Sequence, residues 1–463
     1  MSHMSRTTDV SIIGLGKLGA SMAAGMASRG FNVIGVDVSE KAVEAVNAGH
    51  EPVQETNLEE TIQANRERIR ATRSHSDAVL ESDVSFVIVP TPSDDRGSFS
   101  LQYASFAFKA IGQALREKNS YHVVVLTSTV LPGSTRYGLL PILERESGKK
   151  CGPDFGLCYS PEFIALGTVI RDFLNPDFYL IGEFDKRSGD ILEAVDHQVC
   201  TKPNPICRRM SIENAEIAKI ALNSYVTMKI SYANILADLC ERVPGGDVDV
   251  VTDAIGTDSR IGRKYLSGGL GFAGPCFPRD NVALSYFARY AGASCELLEC
   301  NHSFNRSLSG RYVEKLKPIM KKGATVAVLG LSYKPLSHII EESPGVYLCQ
   351  ALSDAGYRVI GYDPLAVPSA ATVLKYHALV TDSLHECLQD ADVVLVTTQD
   401  DQFKALTSAD VLGNKKRVQV VDFWRCLSPE IATHPQIEYV PVGRCLDDNK
   451  WSDHLRRLWE SGE

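Results

Sequence analysis

Along this chain of 463 residues the apolar positions change their period more than once. Near the start a β-branched run, "VSII", enters "GLGKLGASMAAGMASRG", and a second short apolar run, "NVIGVD", follows. Short unbroken apolar runs bounded by glycine and polar residues predict strands buried on both faces. The stretch between them has the length and spacing of a helix. Two more runs, "SDVSFVIVPTP" and "YHVVVLTSTV", extend the set and predict a parallel sheet. In the middle, "SIENAEIAKIALNSYVTMKISYANILADLCERV" contains neither glycine nor proline and repeats its apolar residues at helical spacing. As one helix it would be about 45 Å long. Ser211 and Glu213 suit its start, although Asn214 makes only a partial capping box. Late in the chain the strand pattern returns as "GATVAVLGLSYKP", "GYRVIGYDPL", "ADVVLVTTQD" and "VQVVDFWR".

The correspondence of "GFNVIGVD" with "GYRVIGYD", and of "SDVSFVIVPT" with "ADVVLVTTQ", predicts two similar ends. The expected fold class is α/β, with two Rossmann-like parallel-sheet domains joined by a long central helix that is also expected to offer a dimer face. The expected boundaries are 4–208, 209–318 and 319–463. A chain of this length exceeds one hydrophobic core, which agrees with a division. The formal charge of −9 is spread without long blocks, so neither nucleic acid nor a membrane surface is expected as a partner. No run approaches the ~18 apolar residues that cross a bilayer. The polar start "MSHMSRTTD" lacks the apolar core of a signal peptide, and "SHM" before Met4 reads as a cloning remnant. A cytoplasmic protein is expected. Twelve cysteines invite disulfides or zinc, but the closest pairs (Cys295 with Cys300, Cys151 with Cys158, Cys200 with Cys207) fit no CxxC ligand spacing. Packed thiols and no metal site are expected.

Candidate chemistry begins at the first turn. Gly14, Gly16 and Gly19 stand in GxGxxG spacing, with Leu18 inside the turn and Asp37 closing the second strand. Strand, turn, helix and acid together predict dinucleotide binding, and an acid at Asp37 favours NAD over NADP because it would repel a 2′-phosphate. Pro90, Thr91, Pro92, Ser128 and Thr129 fall at the carboxyl ends of the next strands, on the expected rim of that site; ordinary turn chemistry would also place such residues there. The second domain lacks the GxGxxG, so a ligand other than a second dinucleotide is expected, with Lys334 and Arg425 available for phosphates. On the long helix Lys219 and Asn223 are four apart and share a face, where they could donate to an oxyanion or simply snorkel and pack. Glu162 follows a proline in "YSPEFIALG". Cys276 is set between two prolines in "GFAGPCFPRD", an unusually stiff setting for a thiol.

Taken in order, these segments resemble the UDP-glucose/GDP-mannose dehydrogenase family. The glycine turn, "VPTP", "STVLPG", "SPEF", "AEIAKIALNSY", "GTDSRIGRKYL", "CFPRD" and "LGLSYKP" occur in that family's order and approximate spacing across nearly the whole chain. The resemblance implies an NAD-dependent enzyme that oxidises the C6 alcohol of a nucleotide sugar to a carboxylate, using two NAD and one thiol. It implies that Cys276 adds to the intermediate aldehyde and carries a thioester. Lys219 and Asn223 would stabilise oxyanions, while Glu162 and Asp280 would move protons and position water, helped by Thr129. Lys334, Arg425, Phe163, Phe272, Gly274 and the backbone from Ser267 to Ala273 would contact the sugar nucleotide. Arg260 matches an arginine donated across a homodimer interface, and Arg279 stands where the family has a lysine near the cofactor.

Departures from the pattern are Arg279 for that lysine, "HIIEES" for "DxRES" so that Glu341 replaces an arginine, Phe178 in "PDF" for "PDR", and Ser267 where animal members often have lysine. UDP-glucose is the expected substrate, with TDP-glucose, GDP-mannose and UDP-N-acetylhexosamines as alternatives. A single-hydride hydroxyacid dehydrogenase would need neither Cys276 nor the second domain. A non-catalytic nucleotide-sugar sensor would have little use for Cys276, Lys219, Asn223, Glu162 and Asp280 together.

Overall fold

The computed structural model describes residues 8–164 and 167–460. The leading "MSHMSRT", and Ala165 and Leu166 of the "SPEFIALG" segment, lie outside the described residues. The chain divides into two compact units, the first ending at Ala221 and the second beginning at Leu222.

In the first unit eight strands form one sheet: β1 (Asp9–Ile13), β2 (Asn32–Val36), β3 (Ile69–Thr72), β4 (Val84–Val87), β5 (Val123–Leu126), β6 (Gly156–Tyr159), β7 (Tyr179–Glu183) and β8 (Cys207–Ser211). Their order is β3-β2-β1-β4-β5-β6-β7-β8. The order reverses beside β1, the crevice where doubly wound sheets bind ligands. All pairings are parallel except β6 with β7, as the expected parallel-sheet domain allows; mixed sheets commonly carry such a pair towards one edge. Helix α1 (Lys17–Ser28) buries every residue from Gly19 to Ala27. Its small side chains explain how: a Cβ on Gly25 would come within 2.9 Å of the Phe173 ring. Helix α2 (Lys186–Val199) starts with a capping box between Asp185 and Ser188.

Helix α3 (Ile212–Cys240) is the long helix of the sequence pattern, 29 residues and about 43 Å. Ser211 caps it by accepting from the Asn214 amide at 3.3 Å. Its buried positions mix apolar residues (Ile212, Ala215, Ile220, Ala233, Ala237) with many polar ones. Lys219, Asn223, Ser224, Thr227, Ser231 and Asn234 are buried, whereas Tyr225, Tyr232, Ile235 and Leu239 are exposed at alternating seven-, three- and four-residue steps.

The second unit contains helices α4 (Phe277–Tyr290), α5 (Glu296–Leu316) and α6 (Pro344–Asp354). Its strands are β9 (Thr325–Leu329), β10 (Arg358–Tyr362), β11 (Leu379–Val380), β12 (Val393–Val396), β13 (Val418–Asp422) and β14 (Ile437–Pro441), in the order β11-β10-β9-β12-β13-β14, parallel throughout. The reversal beside β9 repeats the one beside β1. The two turns match in detail. Gly14 and Gly330 have φ of +104° and +110°, and each donates its amide to the last residue of the neighbouring strand, Val36 or Tyr362. The strand glycines of both "VIG" segments have one cause: Gly35 and Gly361 leave room for the buried Leu15 and Leu331.

Candidate active site

The three glycines of the first turn differ in what they accommodate. A Cβ on Gly19 would lie 1.9 Å from the Gly14 oxygen, and one on Gly14 would lie 2.1 Å from the Ile88 oxygen. Both are glycine for internal reasons. At Gly16 a Cβ would meet nothing within 4 Å, and this N-cap of α1 has no side-chain acceptor over the first-turn amides. Open space over free amides at a helix start is the cradle a pyrophosphate needs. Leu18 packs beside the core. Asp37 accepts from the Leu15 amide at 2.7 Å and the Ser39 amide at 2.8 Å, which leaves carboxylate lone pairs for ribose hydroxyls. These residues fit NAD.

The second turn does not offer this. Asp363, the counterpart of Asp37, is 2 % exposed. It accepts from the amides of Leu331, Ser332, Leu365 and Ala366 and from the Ser332 hydroxyl, all within 2.9 Å. A carboxylate has about four lone-pair sites, so it has no capacity for a ribose.

On the rim beside the first turn, Ser128 accepts from the Val89 amide at 2.9 Å and donates to the Val89 oxygen at 2.7 Å. Thr91 donates to the Thr129 oxygen at 2.7 Å. These hydroxyls stitch the ends of β4 and β5 together on the rim beside the turn. Pro90 and Pro92 are exposed and Thr129 is half-buried on the same rim.

Still within the first unit, Lys219 is buried and its ammonium donates to the Glu162 backbone oxygen at 2.6 Å. The same ammonium lies 4.5 Å from the centre of the Phe163 ring. Phe163 in turn packs on Phe178 with centroids 5.1 Å apart. Burial lifts the Glu162 carboxyl to about 7, with the Lys219 charge pulling the other way. A group poised there can both take and give a proton near neutrality. One residue missed by sequence reading is Glu216. It is fully buried one turn before Lys219 and accepts from the Gly133 and Thr135 amides at 2.5 and 2.8 Å, so it ties the start of α3 to the segment after Thr129.

In the second unit Asn223 donates to the Asp280 carboxylate at 2.7 Å, with both side chains buried. Cys276 occupies the N-cap of α4 and is exposed. The helix start favours a thiolate's negative charge. Arg279 lies 3.5 Å from Asp280. The glycine-rich loop before the thiol is held by side chains that no short motif announced. Asn234 accepts from the Gly269 amide at 2.8 Å and donates to the Leu270 oxygen at 3.0 Å. Asn305 does the same for Phe272 at 2.8 and 2.9 Å. Gly274, at φ +84°, donates to the Glu341 oxygen at 3.0 Å and has no room for a Cβ beside Tyr333. A signal was present for Asn234, a lone amide among the apolar residues of "SYANILAD".

Two residues expected to contact the ligand have extensive partners within the protein. Phe272 is 2 % exposed and its backbone is spent on Asn305, so it frames the loop. Arg425 is also buried. It makes a two-pronged pair with Asp249 at 2.8 Å and donates to the oxygens of Phe423, Val442 and Gly268. All five guanidinium N–H groups are thereby used, and none is left for a phosphate. Lys334 lies beside the Tyr333 ring at 5.6 Å. Arg260 is 87 % exposed and pairs with Asp258 at 2.6 Å.

A dinucleotide cradle, a poised carboxyl with a buried lysine, and an accessible thiol at a helix start define an oxidoreductase of the doubly wound class. Profiles of the UDP-glucose/GDP-mannose dehydrogenase family match in three parts: the NAD binding domain over residues 8–199, the central domain over 213–307 and the UDP binding domain over 327–429. The chain is 37 % identical over 402 residues to UDP-glucose 6-dehydrogenase AglM of Haloferax volcanii, covering 86 % of this chain and 93 % of that one. It is 35 % identical over 432 residues to GDP-mannose 6-dehydrogenase of Pseudomonas aeruginosa, covering 89 % and 96 %. A solved UDP-glucose dehydrogenase from Pyrobaculum islandicum superposes with a TM-score of 0.84 at 31 % identity, over 96 % of this chain and all of that one. The chain belongs to the UDP-glucose/GDP-mannose dehydrogenase family and is an NAD-dependent nucleotide-sugar dehydrogenase.

Proposed function

We propose that the protein converts UDP-glucose to UDP-glucuronate by two successive oxidations at C6. The observation that carries this reading is Cys276, an exposed thiol at the N-cap of a helix that also bears the buried Asp280. Bound NAD supplies the hydride acceptor for each oxidation. In the first, the C6 hydroxyl loses a proton and a hydride and becomes an aldehyde, with Glu162 poised to take the proton. The Cys276 thiolate then adds to the aldehyde carbon, and Lys219 and Asn223 hold the resulting oxyanion. Loss of the second hydride leaves a thioester. Water, positioned by Asp280 with Thr129, adds to its carbonyl; the carbon–sulfur bond breaks and the carboxylate and thiol are released. Lys334, Gly274 and the loop from Ser267 to Ala273 are assigned to the sugar nucleotide, and Arg279 to the cofactor.

UDP-glucose is supported by the relatives of that name and by Phe163, which presents an apolar ring where a donor to an acetamido group would be needed. Two further parts of the reading are the three-domain division at 4–208, 209–318 and 319–463, and a homodimer whose second copy covers Tyr225, Tyr232, Ile235 and Leu239 and receives Arg260. A cytoplasmic setting is supported by twelve free thiols. Among the described residues no helix is long and apolar enough to cross a membrane.

The test is to follow NADH and acid together with UDP-glucose, TDP-glucose, GDP-mannose and UDP-N-acetylglucosamine. About two NADH per acid are expected, with the highest kcat/KM for UDP-glucose, and Cys276→Ser should yield no acid. One NADH per turnover would defeat the thioester route. A preference for GDP-mannose or an N-acetylated sugar would overturn the substrate and leave that route intact.

A further inference from the structure

Far along the sequence from the thiol and the glycine turn, the last turns of α2 and the first residue of β8 bring three different metal-binding side chains together. The ligand atoms of Glu193, His197 and Cys207 all lie within 4.8 Å of one another. Glu193 and His197 are four apart on α2 and therefore share a face. Atoms around a tetrahedral zinc ion, held at about 2.0–2.3 Å, stand roughly 3.5 Å apart; modest side-chain rotation closes the difference.

The surroundings favour a cation. Asp196, beside His197, is 5 % exposed, and its Oδ2 has no hydrogen-bond partner among the described residues. Glu183, Asp190 and Glu193 crowd the same place and share Arg209. Arg209 holds Glu193 by Oε2 at 2.8 Å and so orients that carboxylate.

We infer that Glu193, His197 and Cys207 form a binding site for a thiolate-seeking divalent cation, zinc in the first instance, with water as fourth ligand. Binding would exchange the Cys207 S–H for an S–Zn bond and release one proton. Among the described residues β8 pairs with β7 alone, and it runs directly into α3, which carries Glu216 and Lys219. The ion would pin that edge strand to α2 and act as a clasp on the chain entering the catalytic helix, apart from the redox chemistry.

The test uses full-length protein carrying Cys276→Ser and Cys300→Ser, so that the two exposed thiols cannot bind the probe. Titration with Co²⁺ should give a saturable thiolate-to-cobalt absorption at one ion per chain, displaced by Zn²⁺ and accompanied by a rise in Tm. Adding Cys207→Ser should abolish the band. His197→Gln, at an exposed position, should weaken Co²⁺ binding roughly tenfold or more. Absence of a saturable band up to millimolar Co²⁺, or a band that survives Cys207→Ser, overturns the inference. If Cys207→Ser does not fold, His197→Gln decides: unchanged affinity overturns the site.

Discussion

Asn223 hands one amide hydrogen to Asp280 at 2.7 Å, and this bond between two buried side chains anchors the thiol-bearing helix to α3. Removing the donor by Asn223→Ala leaves a buried carboxylate without that partner, at a cost of about 1–3 kcal/mol. Denaturant unfolding should show that loss, and turnover should fall with it. Pairing Asn223→Ala with Asp280→Ala should cost less than the sum of the two single changes; strict additivity would mean that the bond contributes nothing.

The glycines of the first turn should separate binding from folding. Gly19→Ala drives a Cβ into the Gly14 carbonyl and should lower Tm sharply. Gly16→Ala meets no protein atom, so Tm should hold while the NAD dissociation constant rises by tenfold or more, as the methyl group enters the pyrophosphate cradle. Equal losses of stability in both variants would show that Gly16 is not facing a ligand.

Glu162 predicts a specific dependence on pH. Its folded-state value of about 7 lies above the ordinary ~4.3 of a glutamate, so the folded protein favours the neutral acid. Its contribution to stability is therefore fully present below about pH 4 and is lost as pH rises through 7. Glu162→Gln should be no more stable than the parent at low pH, yet gain up to ~3 kcal/mol at pH 8. The limb near pH 7 in the kcat/KM profile should disappear in that variant. A limb that persists would assign it to another group.

Arg425 should behave as a structural residue. Asp249→Ala strands a buried guanidinium, which typically costs 3–5 kcal/mol, and the melting temperature should report it. KM for the nucleotide sugar should change little at temperatures where the variant is folded. A large rise in KM without loss of stability would restore Arg425 to the ligand.

Much of the architecture was legible because short apolar runs and the glycine turn are local signals. The strand–turn–helix–strand unit around Gly14, its repeat around Gly330 and the extent of α3 all followed from residues close in sequence. What was not legible depends on partners far apart. Asp249 and Arg425 are separated by 176 positions, and nothing in "DFWR" indicates that the arginine's donors are spent. The clamps from Asn234 and Asn305 on the thiol loop are equally long-range. The periodicity of α3 marked a helix but could not say which face is covered, because its buried positions mix polar with apolar residues while Tyr225, Tyr232, Ile235 and Leu239 stay exposed. Ser128 and Thr91 lie at the expected strand ends, yet the hydroxyls turn towards the neighbouring strand.

The unequal fates of Asp37 and Asp363 bear on traffic through the enzyme. Of the two matching turns, one carboxylate stays receptive to a ribose and the other is saturated by its own backbone, so a single seat must serve both oxidations of the proposed reaction. A spent dinucleotide has to vacate it and a fresh one arrive while the sugar is only half oxidised. A free aldehyde could drift away during that exchange; a carbon bonded to Cys276 cannot. In that proposed reaction the sulfur would work as a mooring as much as a nucleophile, and the need for it would follow from a ribose pocket that the second half of the chain has closed.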